Sequence, residues 1–321
     1  MFNIRDFVAN DDDYEAIATV EKAVYPDNAN TAAAFKYRDD SWDQKYLRQQ
    51  LVVEWGDQVV AFASYSERPW SYAPGAYGFN ITIRPDFERR GIGTAVYNDI
   101  CRDLTQQKHP LAQLSTYTRG DKPQSIRFLE KRGFVAVMRW IVSVLNVSQF
   151  NVDSYRPLRQ QLAASGVEIR PLPQQKQHDP NWLHNLYELD WALTQDEPQP
   201  SPPTKLPLEQ YVKTFLDDPN VLEEAWFVAV ENGRYLGMTQ LYRKPNKPKE
   251  YGTGFTGVVR SHRRRGLATA LKSYAVEYAQ RQGTETLRTG NEEKNPMYQL
   301  NKRLGFVDLT TELAYEKRFE A

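Results

Sequence analysis

Residues 263–279, RRRGLATALKSYAVEYA, place three arginines and a glycine directly before a long amphipathic segment. A similar stretch, ERRGIGTAVYNDI, occupies residues 88–100. The amide groups in the first turn of a helix have no partners within the helix, and the helix dipole adds partial positive charge there. The glycine permits close approach, and the arginines add formal charge. Each stretch therefore predicts an anion site that suits a phosphate or pyrophosphate.

Two familiar phosphate-binding motifs do not match these turns. A P-loop requires a Gly-Lys-Ser/Thr sequence, and neither turn contains that lysine. A dinucleotide-binding fingerprint requires a small residue three positions after Gly93, where Val96 stands. The alternative interpretation is that both turns are ordinary helix starts with solvated arginines.

The composition limits the classes of partner. The chain has 321 residues, and its 41 Lys and Arg balance its 41 Asp and Glu, so no overall basic field favours nucleic acid or an anionic membrane. A single cysteine excludes an internal disulfide, and the four histidines show no metal-ligand spacing. No stretch approaches the roughly 20 apolar residues that span a bilayer, and the first residues do not resemble a secretory signal. We therefore expect a cytoplasmic protein without nucleic acid, membrane or metal partners, and the sequence does not indicate its oligomeric state.

The order of predicted elements occurs twice. Each copy has a first strand, helices, a hairpin, a strand that enters the glycine turn, the helix, another strand, a short helix and a last strand. The first hairpin turns at Gly56-Asp57. The period of roughly 170 residues predicts two duplicated domains, residues 1–150 and 151–321. Hairpins mixed with crossover helices predict an α+β fold, with a mainly antiparallel mixed sheet and helices on both faces in each domain. The Pro-rich residues 196–207 are predicted to form a loop over the second domain's pocket.

The segment Arg263-Arg264-Arg265-Gly266-Leu267-Ala268 resembles the Arg/Gln-x-x-Gly-x-Gly/Ala signature of the GNAT acyl-CoA N-acyltransferases. The element order resembles that superfamily over nearly the whole chain, twice, as in its tandem-domain members. This resemblance implies two tandem GNAT domains. It also implies acetyl-CoA, or another acyl-CoA, as the donor and direct attack of an amine on the thioester.

The resemblance further implies a set of cofactor-binding residues in each domain. In the second domain, backbone amides of the turn hold the pyrophosphate, a splayed strand faces the pantetheine arm, and two asparagines lie beside the cofactor. These positions are Thr256, Gly257, Val258, Arg263, Arg264, Arg265, Gly266, Leu267, Ala268, Thr269, Asn291 and Asn295. The corresponding residues of the first domain are Ile81, Ile83, Arg89, Arg90, Gly91, Ile92, Gly93 and Thr94. There Glu88 occupies the first signature position, which puts a carboxylate beside a polyphosphate.

Acyl transfer needs a deprotonated amine, hydrogen-bond donors for the oxyanion and a proton for the leaving thiolate. Many relatives supply that proton from a tyrosine four residues before the glycine of the terminal Gly-Phe, where this sequence has Asn301 and Leu129. Tyr298 is a candidate substitute, although it also suits a packing role. The thiolate could instead leave unprotonated.

The candidate bases are Asp196 in the Pro-rich loop, which is the first choice, Glu224 before the central strand and Glu250 before the strand YGTGFTG. Each also suits a solvated surface role. The matching loop of the first domain carries Asp27. Asp196 or Asp27 could equally bind the ammonium group of the acceptor.

The leading functional hypothesis is an N-acetyltransferase that moves an acetyl group from acetyl-CoA to a primary amine of a small molecule. The complete signature and the two asparagines favour the second domain as the catalytic one, with a weaker or structural first domain. Two alternatives stay open. One is an acetyltransferase for protein or peptide amines, and the other is a non-catalytic acyl-CoA-binding regulatory protein.

Overall fold

The computed structural model describes residues 1–320. The chain divides into two compact units, and neither is continuous in sequence. Unit 1 contains Met1–Met138, Pro200–Thr214 and the residues from Leu313 on, whereas unit 2 contains Arg139–Gln199 and Phe215–Glu312. The domain bounds inferred from the sequence, residues 1–150 and 151–321, are continuous and stay a prediction.

The first repeat contains six strands and four helices. They are β1 (Phe2–Asp6), α1 (Asp11–Val24), α2 (Ala32–Asp40), β2 (Arg48–Trp55), β3 (Gln58–Ser66), β4 (Ala76–Ile83), α3 (Ile92–Thr105), β5 (Gln113–Arg119), α4 (Pro123–Glu130) and β6 (Val135–Asn146).

The second repeat follows a connecting helix, α5 (Arg156–Ala164). Its elements are β7 (Val167–Pro171), α6 (Leu172–His178), α7 (Trp182–Thr194), α8 (Leu208–Tyr211), β8 (Phe227–Glu231), β9 (Arg234–Arg243), β10 (Glu250–Val258), α9 (Leu267–Arg281), β11 (Thr286–Glu292), α10 (Pro296–Arg303) and β12 (Val307–Arg318). The helix α5 ends before Gly166, which has φ +86°, so the predicted connecting helix and its glycine terminus are confirmed.

Each unit has a mainly antiparallel sheet with one parallel pair. In unit 1, β1 to β4 pair antiparallel in chain order, and β4 pairs parallel with β5. In unit 2, β7 to β10 pair antiparallel in chain order, β10 pairs parallel with β11, and β11 pairs antiparallel with β6. The predicted α+β class with mixed sheets is confirmed.

Helices cover both faces of each sheet because the strands bury side chains on both sides. In unit 1, Ile92, Val96 and Ile100 of α3 pack on one face, and Tyr14 and Ile17 of α1 pack on the other. In unit 2, α9 packs on one face and α7 on the other. The crossover that leads into α3 or α9 therefore ends at one face, and the loop after α1 or α7 lies towards the other.

Strands β6 and β12 are each divided between the units. Residues 139–146 of β6 belong to unit 2 and pair with β11. The residues of β12 from Leu313 on belong to unit 1, where Tyr315 joins the buried core and the Phe319 amide donates to the Ala112 carbonyl at 2.8 Å. Each repeat thus supplies a strand segment to the unit built mainly from the other repeat.

The Pro-rich segment differs from its prediction. Residues 200–214 belong to unit 1, whereas the prediction assigned the loop to the second domain. The backbone explains this placement, because the Thr204 amide donates to the Trp70 carbonyl at 2.7 Å and Thr204 Oγ1 accepts from the Tyr72 amide at 3.0 Å.

Among residues 1–320, no helix is long and apolar enough to cross a bilayer, and no group of His, Cys, Asp or Glu forms a candidate metal site.

Candidate functional site

The two glycine turns have the same backbone conformation. Gly91 and Gly266 have φ of +85° and +84° and immediately precede α3 and α9. Two residues earlier, Arg89 and Arg264 have φ of +62° and +63°, in the left-handed region that non-glycine residues rarely adopt. Strained backbone of this kind clusters at functional sites, and the same conformation occurs in both turns. The predicted helix N-termini are therefore present in both units.

The strand that leads into each turn separates from its parallel neighbour. In unit 1, β4 pairs with β5 at Ala76, Tyr77 and Gly78, but β4 continues to Ile83 without further pairing to β5. In unit 2, β10 pairs with β11 up to Gly252 and continues to Val258. Both sheets therefore open into a wedge beside the turn. Backbone groups along the open strand edge can bind an extended, amide-bearing ligand.

A cavity of about 330 Å³ occupies the wedge of unit 1. Its wall combines the open part of β4, the glycine turn, the end of β5 and the region of α4. The lining residues include Phe79–Ile83, Glu88, Arg89, Gly91, Gly93, Thr94, Thr116–Thr118, Lys122, Phe128 and Leu129. The predicted first-domain positions Ile81, Ile83, Arg89, Gly91, Gly93 and Thr94 are thus brought together around one space.

The charge of this cavity is strongly positive. Five cationic side chains line it, Arg89, Lys122, Arg127, Lys131 and Arg132, against one carboxylate, that of Glu88. A space with this excess of cations beside a helix N-terminus suits a polyanion.

Several of these side chains are held by uncharged partners, so their charge is not cancelled. Arg132 Nη2 donates to Thr94 Oγ1 at 2.7 Å, and its guanidinium stacks on the Phe128 ring. Lys122 Nζ donates to the Val24 carbonyl at 2.7 Å.

Among the described residues, the two arginines that follow Glu88 also lack carboxylate partners. Arg90 stacks on Trp55 and Phe87 and donates to a backbone carbonyl, and Arg89 contacts the Gln124 amide oxygen at 3.5 Å. Within residues 1–320 neither arginine forms an ion pair with Glu88. The side chain of Ile92 is buried in the core, so only its backbone is available to a ligand.

The turn of unit 2 has more internal partners. The Arg263 guanidinium pairs with Asp196 and donates from Nε to the Val258 carbonyl at 3.0 Å. Arg265 pairs with Glu231 at 2.9 Å. A Cβ atom on Gly266 would lie 2.6 Å from Leu158 Cδ1 of α5, whereas no atom lies within 4 Å of the same position at Gly91. The second turn is therefore partly neutralised and covered on one side, and the first turn is open.

The other predicted residues of unit 2 have structural partners. Thr256 Oγ1 bonds to Thr239 Oγ1 at 2.8 Å, and Gly257 lies against Leu193. Asn291 Oδ1 accepts from the buried Asn301 at 2.6 Å, and Asn295 Oδ1 caps α10 by accepting from the Met297 amide.

The remaining positions of the second turn differ in how far their side chains are buried. Leu267 and Ala268 pack on the core, and Val258 is buried. Arg264 and Thr269 are on the turn and the first turn of α9, where their backbone amides remain the relevant groups.

Three of the predicted catalytic side chains are each paired. Asp196 accepts from Arg260 and Arg263, and the hydrogen bond from Arg260 contributes most to holding its pKa below the usual range. Glu250 pairs with Lys244 at 2.7 Å. Tyr298 donates its hydroxyl to Asp308 at 2.8 Å, and this bond raises the pKa of Tyr298. An ion-paired carboxylate is a weaker base and a phenol of raised pKa is a weaker acid, so these arrangements reduce their fitness for proton transfer.

Sequence reasoning missed the cations that surround the first cavity. Lys122, Arg127, Lys131 and Arg132 belong to the segment DKPQSIRFLEKRGF, whose cluster of basic residues around a short helix was the available signal. In unit 2 it missed Asp190, whose pKa burial raises to about 7, with a further contribution from the charge of Glu197. Asp190 had no motif to mark it, because its pKa depends on burial.

The sequence matches the model of the Acetyltransferase (GNAT) family over residues 14–134 and again over residues 183–306. Comparison with the curated proteins gave no match. Among solved structures, a GCN5-related N-acetyltransferase from Sphaerobacter thermophilus is 18% identical, with a TM-score of 0.71 over 99% of this chain and 95% of that one. A tandem GNAT protein from the clavulanic acid biosynthesis pathway is 18% identical, with a TM-score of 0.72 over 99% and 98% of the two chains.

A more distant structure, N-myristoyltransferase of Saccharomyces cerevisiae with bound myristoyl-CoA, is 12% identical, with a TM-score of 0.63 over 100% of this chain and 79% of that one. At these identities the structural likeness concerns the fold. The two family matches cover both repeats, each with its glycine turn and splayed strand. The chain belongs to the GNAT family as a tandem-domain N-acyltransferase.

Proposed function

We propose that this protein transfers an acetyl group from acetyl-CoA to a primary amine of a small molecule, and that the donor binds in unit 1. One observation carries the proposal: a single cavity joins the open glycine turn, the splayed strand β4 and five cationic side chains. Coenzyme A has a polyphosphate end and an extended amide-bearing arm, and this cavity offers complementary groups in the same order.

Different residues of unit 1 bind different parts of the donor along the cavity. The amides of Gly91 to Thr94 bind the pyrophosphate, and Arg89 and Arg132 add positive charge beside it. The backbone from Ile81 to Ile83 bonds to the pantetheine arm in the open wedge. These contacts hold the thioester where the amine attacks its carbonyl carbon, which forms the amide bond and releases the thiolate.

Tyr117 is our candidate for the acid in this unit. It lines the cavity at the end of β5, and 55% of the residue is exposed, so a ligand in the cavity can contact it. A protonated phenol can give its proton to the departing thiolate. The ammonium form of the amine loses its proton to water before it attacks, since Glu88 is the one carboxylate on the described wall and belongs to the phosphate end. The second proton, which the nitrogen loses as the tetrahedral intermediate collapses, replaces the one that Tyr117 gave to the thiolate.

A segment of the second repeat covers part of unit 1. Pro200–Thr214 folds onto the loop of unit 1 that carries Trp70 and Tyr72, through the two hydrogen bonds of Thr204. We take this covered surface as support for a small amine, rather than a folded protein chain, as the acceptor.

Unit 2 is a second candidate for catalysis. Its signature Arg263–Ala268 is complete, and Asp190 has a pKa of about 7, which suits a general base at neutral pH. The covered Gly266 and the ion pairs of Arg263 and Arg265 favour unit 1 as the donor site.

Two measurements test the proposal. Calorimetric titration with acetyl-CoA should show binding that Arg132→Met weakens, whereas Arg139→Met, which removes an exposed cation, should leave it unchanged. Free-thiol release with a panel of small amines should show turnover, and acetyl-CoA should exceed hexanoyl- and myristoyl-CoA as donor. Absence of binding would overturn the donor assignment. Turnover with lysine peptides but not with small amines would favour the protein-modifying alternative, and binding without any turnover would favour a regulatory role.

A further inference from the structure

Arg68 is a buried cation without a carboxylate partner. It follows β3 in unit 1, and only 7% of the residue is exposed. Its Nε is buried and has no hydrogen-bond partner, and Nη2 makes one long bond of 3.4 Å to Ser201 Oγ. Within residues 1–320, no acidic side chain forms an ion pair with it. Burial of a charge without a partner is destabilising, because the desolvation penalty is not offset.

The second repeat has a paired cation at the equivalent position. Ser66 pairs with Gly78 in the sheet of unit 1, and Tyr242 pairs with Gly252 in the sheet of unit 2. Arg68 lies two residues after Ser66, just as Lys244 lies two residues after Tyr242.

The carboxylate of the second repeat has no counterpart in the first. Glu250 stands two residues before Gly252 and pairs with Lys244 at 2.7 Å, with both side chains 13% exposed. The residue two before Gly78 is Ala76. One unit therefore contains a built-in carboxylate for its cation, and the other has a methyl group there.

Arg68 packs against β4 at Gly78, the last residue of that strand that pairs with β5. Its Cγ and Cδ are 3.6 Å from the position that a Cβ atom would take on Gly78. Phe79 packs with α3, and successive residues of a strand point to opposite faces, so Gly78 faces away from the glycine turn. The charge of Arg68 also acts on Tyr117, which lines the cavity. The stem of Arg68 thus packs on the face of β4 opposite the glycine turn, and its charge reaches a tyrosine of the cavity wall.

We infer that Arg68 binds a carboxylate of the acceptor, so that the acceptor is an amine that also carries a carboxylate. This inference rests on the proposed acetyl transfer in unit 1. A guanidinium offers paired donors in the geometry of a carboxylate, and the acceptor supplies to Arg68 what Glu250 supplies to Lys244.

The first test uses stability and needs no substrate. Arg68→Met keeps most of the side-chain volume and removes an unpaired charge, so the melting temperature should rise or stay constant. Lys244→Met leaves Glu250 buried without its main partner, so the melting temperature should fall. An equal fall in both variants would show that Arg68 already has an internal counter-charge, and would overturn the inference.

The second test compares paired acceptors, the L-amino acids and their carboxamides, by free-thiol release from acetyl-CoA. The wild-type protein should prefer the acids. In Arg68→Met the ratio of kcat/KM for acid over amide should fall by roughly 10- to 100-fold, as expected for loss of a charged hydrogen bond, and Arg68→Lys should keep part of the preference. Ala76→Glu should lower the same ratio, because the new carboxylate would compete for Arg68.

The outcomes distinguish a failure of this inference from a failure of the proposed function on which it rests. Calorimetric binding of acetyl-CoA with equal turnover of acids and amides would overturn the role of Arg68 alone. Failure to bind acetyl-CoA would overturn the proposed function, and the inference with it.

Discussion

Replacement of Gly91 by aspartate is the sharpest test of the donor site. Gly91 has φ +85° and no atom within 4 Å of the position of a Cβ. Gly166 has φ +86° and equally open surroundings, and it lies outside both turns. An aspartate at either position adopts the same left-handed backbone, at a cost of about 1 kcal/mol in folding free energy. Gly166→Asp is therefore a matched control for the strain.

The loss of affinity follows from the added charge. A carboxylate at residue 91 would lie about 5 Å from two phosphate charges, and at an effective dielectric constant of about 40 each pair costs about 1.7 kcal/mol. The sum of about 3 kcal/mol corresponds to roughly a 100-fold weaker Kd for acetyl-CoA. Gly166→Asp should bind acetyl-CoA as the wild type does.

Calorimetric titration, with the melting temperature measured for each variant, decides the question. Gly266→Asp completes the set, although Leu158 crowds that position and should lower its melting temperature. An unchanged isotherm for Gly91→Asp would refute the assignment to unit 1. Loss of binding confined to a folded Gly266→Asp would return the donor site to the second turn, as the sequence alone favoured.

Four further variants test individual groups. Because hydrogen-bonded arginines keep the pKa of Asp196 low, Asp196→Asn should leave the shape of the pH profile of kcat unchanged between pH 5 and 9; loss of a kinetic pKa near neutrality would contradict this. Tyr117→Phe should lower kcat by roughly 100-fold if Tyr117 is the acid, whereas Tyr298→Phe should not, since that hydroxyl already donates to a carboxylate; equal kcat values would argue against this role of Tyr117. The hydrogen bond from Arg5 lowers the pKa of Asp13, so its stabilisation is present above the unfolded pKa and is lost as the pH falls through the folded pKa. Urea unfolding should therefore give Asp13→Asn a lower free energy of unfolding than the wild type at pH 7, and this difference should shrink towards pH 3. A difference that stays constant with pH would contradict the prediction.

The sequence predicted the features that depend on local patterns. Each of these features is specified by residues that lie close together in the sequence. They are both glycine turns, the helices that follow them, the two-residue hairpin turn at Gly56 and the helix closed by Gly166. The repeated order of these elements was enough to predict the fold class and the family.

Features that depend on distant partners were not accessible in this way. Nothing in the local pattern of β12 selects the core of unit 1 as the partner of Tyr315. The residue type and sequence position of Glu250 fit a catalytic carboxylate. Only the structure shows that it lies close to Lys244 and forms an ion pair with it. Arg68 is a similar case. It stands out because Ala76 offers it no carboxylate of the kind that Glu250 offers Lys244, and no single sequence motif shows this.

The division of β6 and β12 between the units has a consequence for the order of events during synthesis. The ribosome makes residues 1–138 first, but Tyr315 and Phe319, which complete unit 1, are made only after nearly all of unit 2. Until they arrive, the strand β5 is an open edge, the kind of surface on which partly made chains associate wrongly. The nascent chain must therefore keep unit 1 incomplete until its final strand has been made.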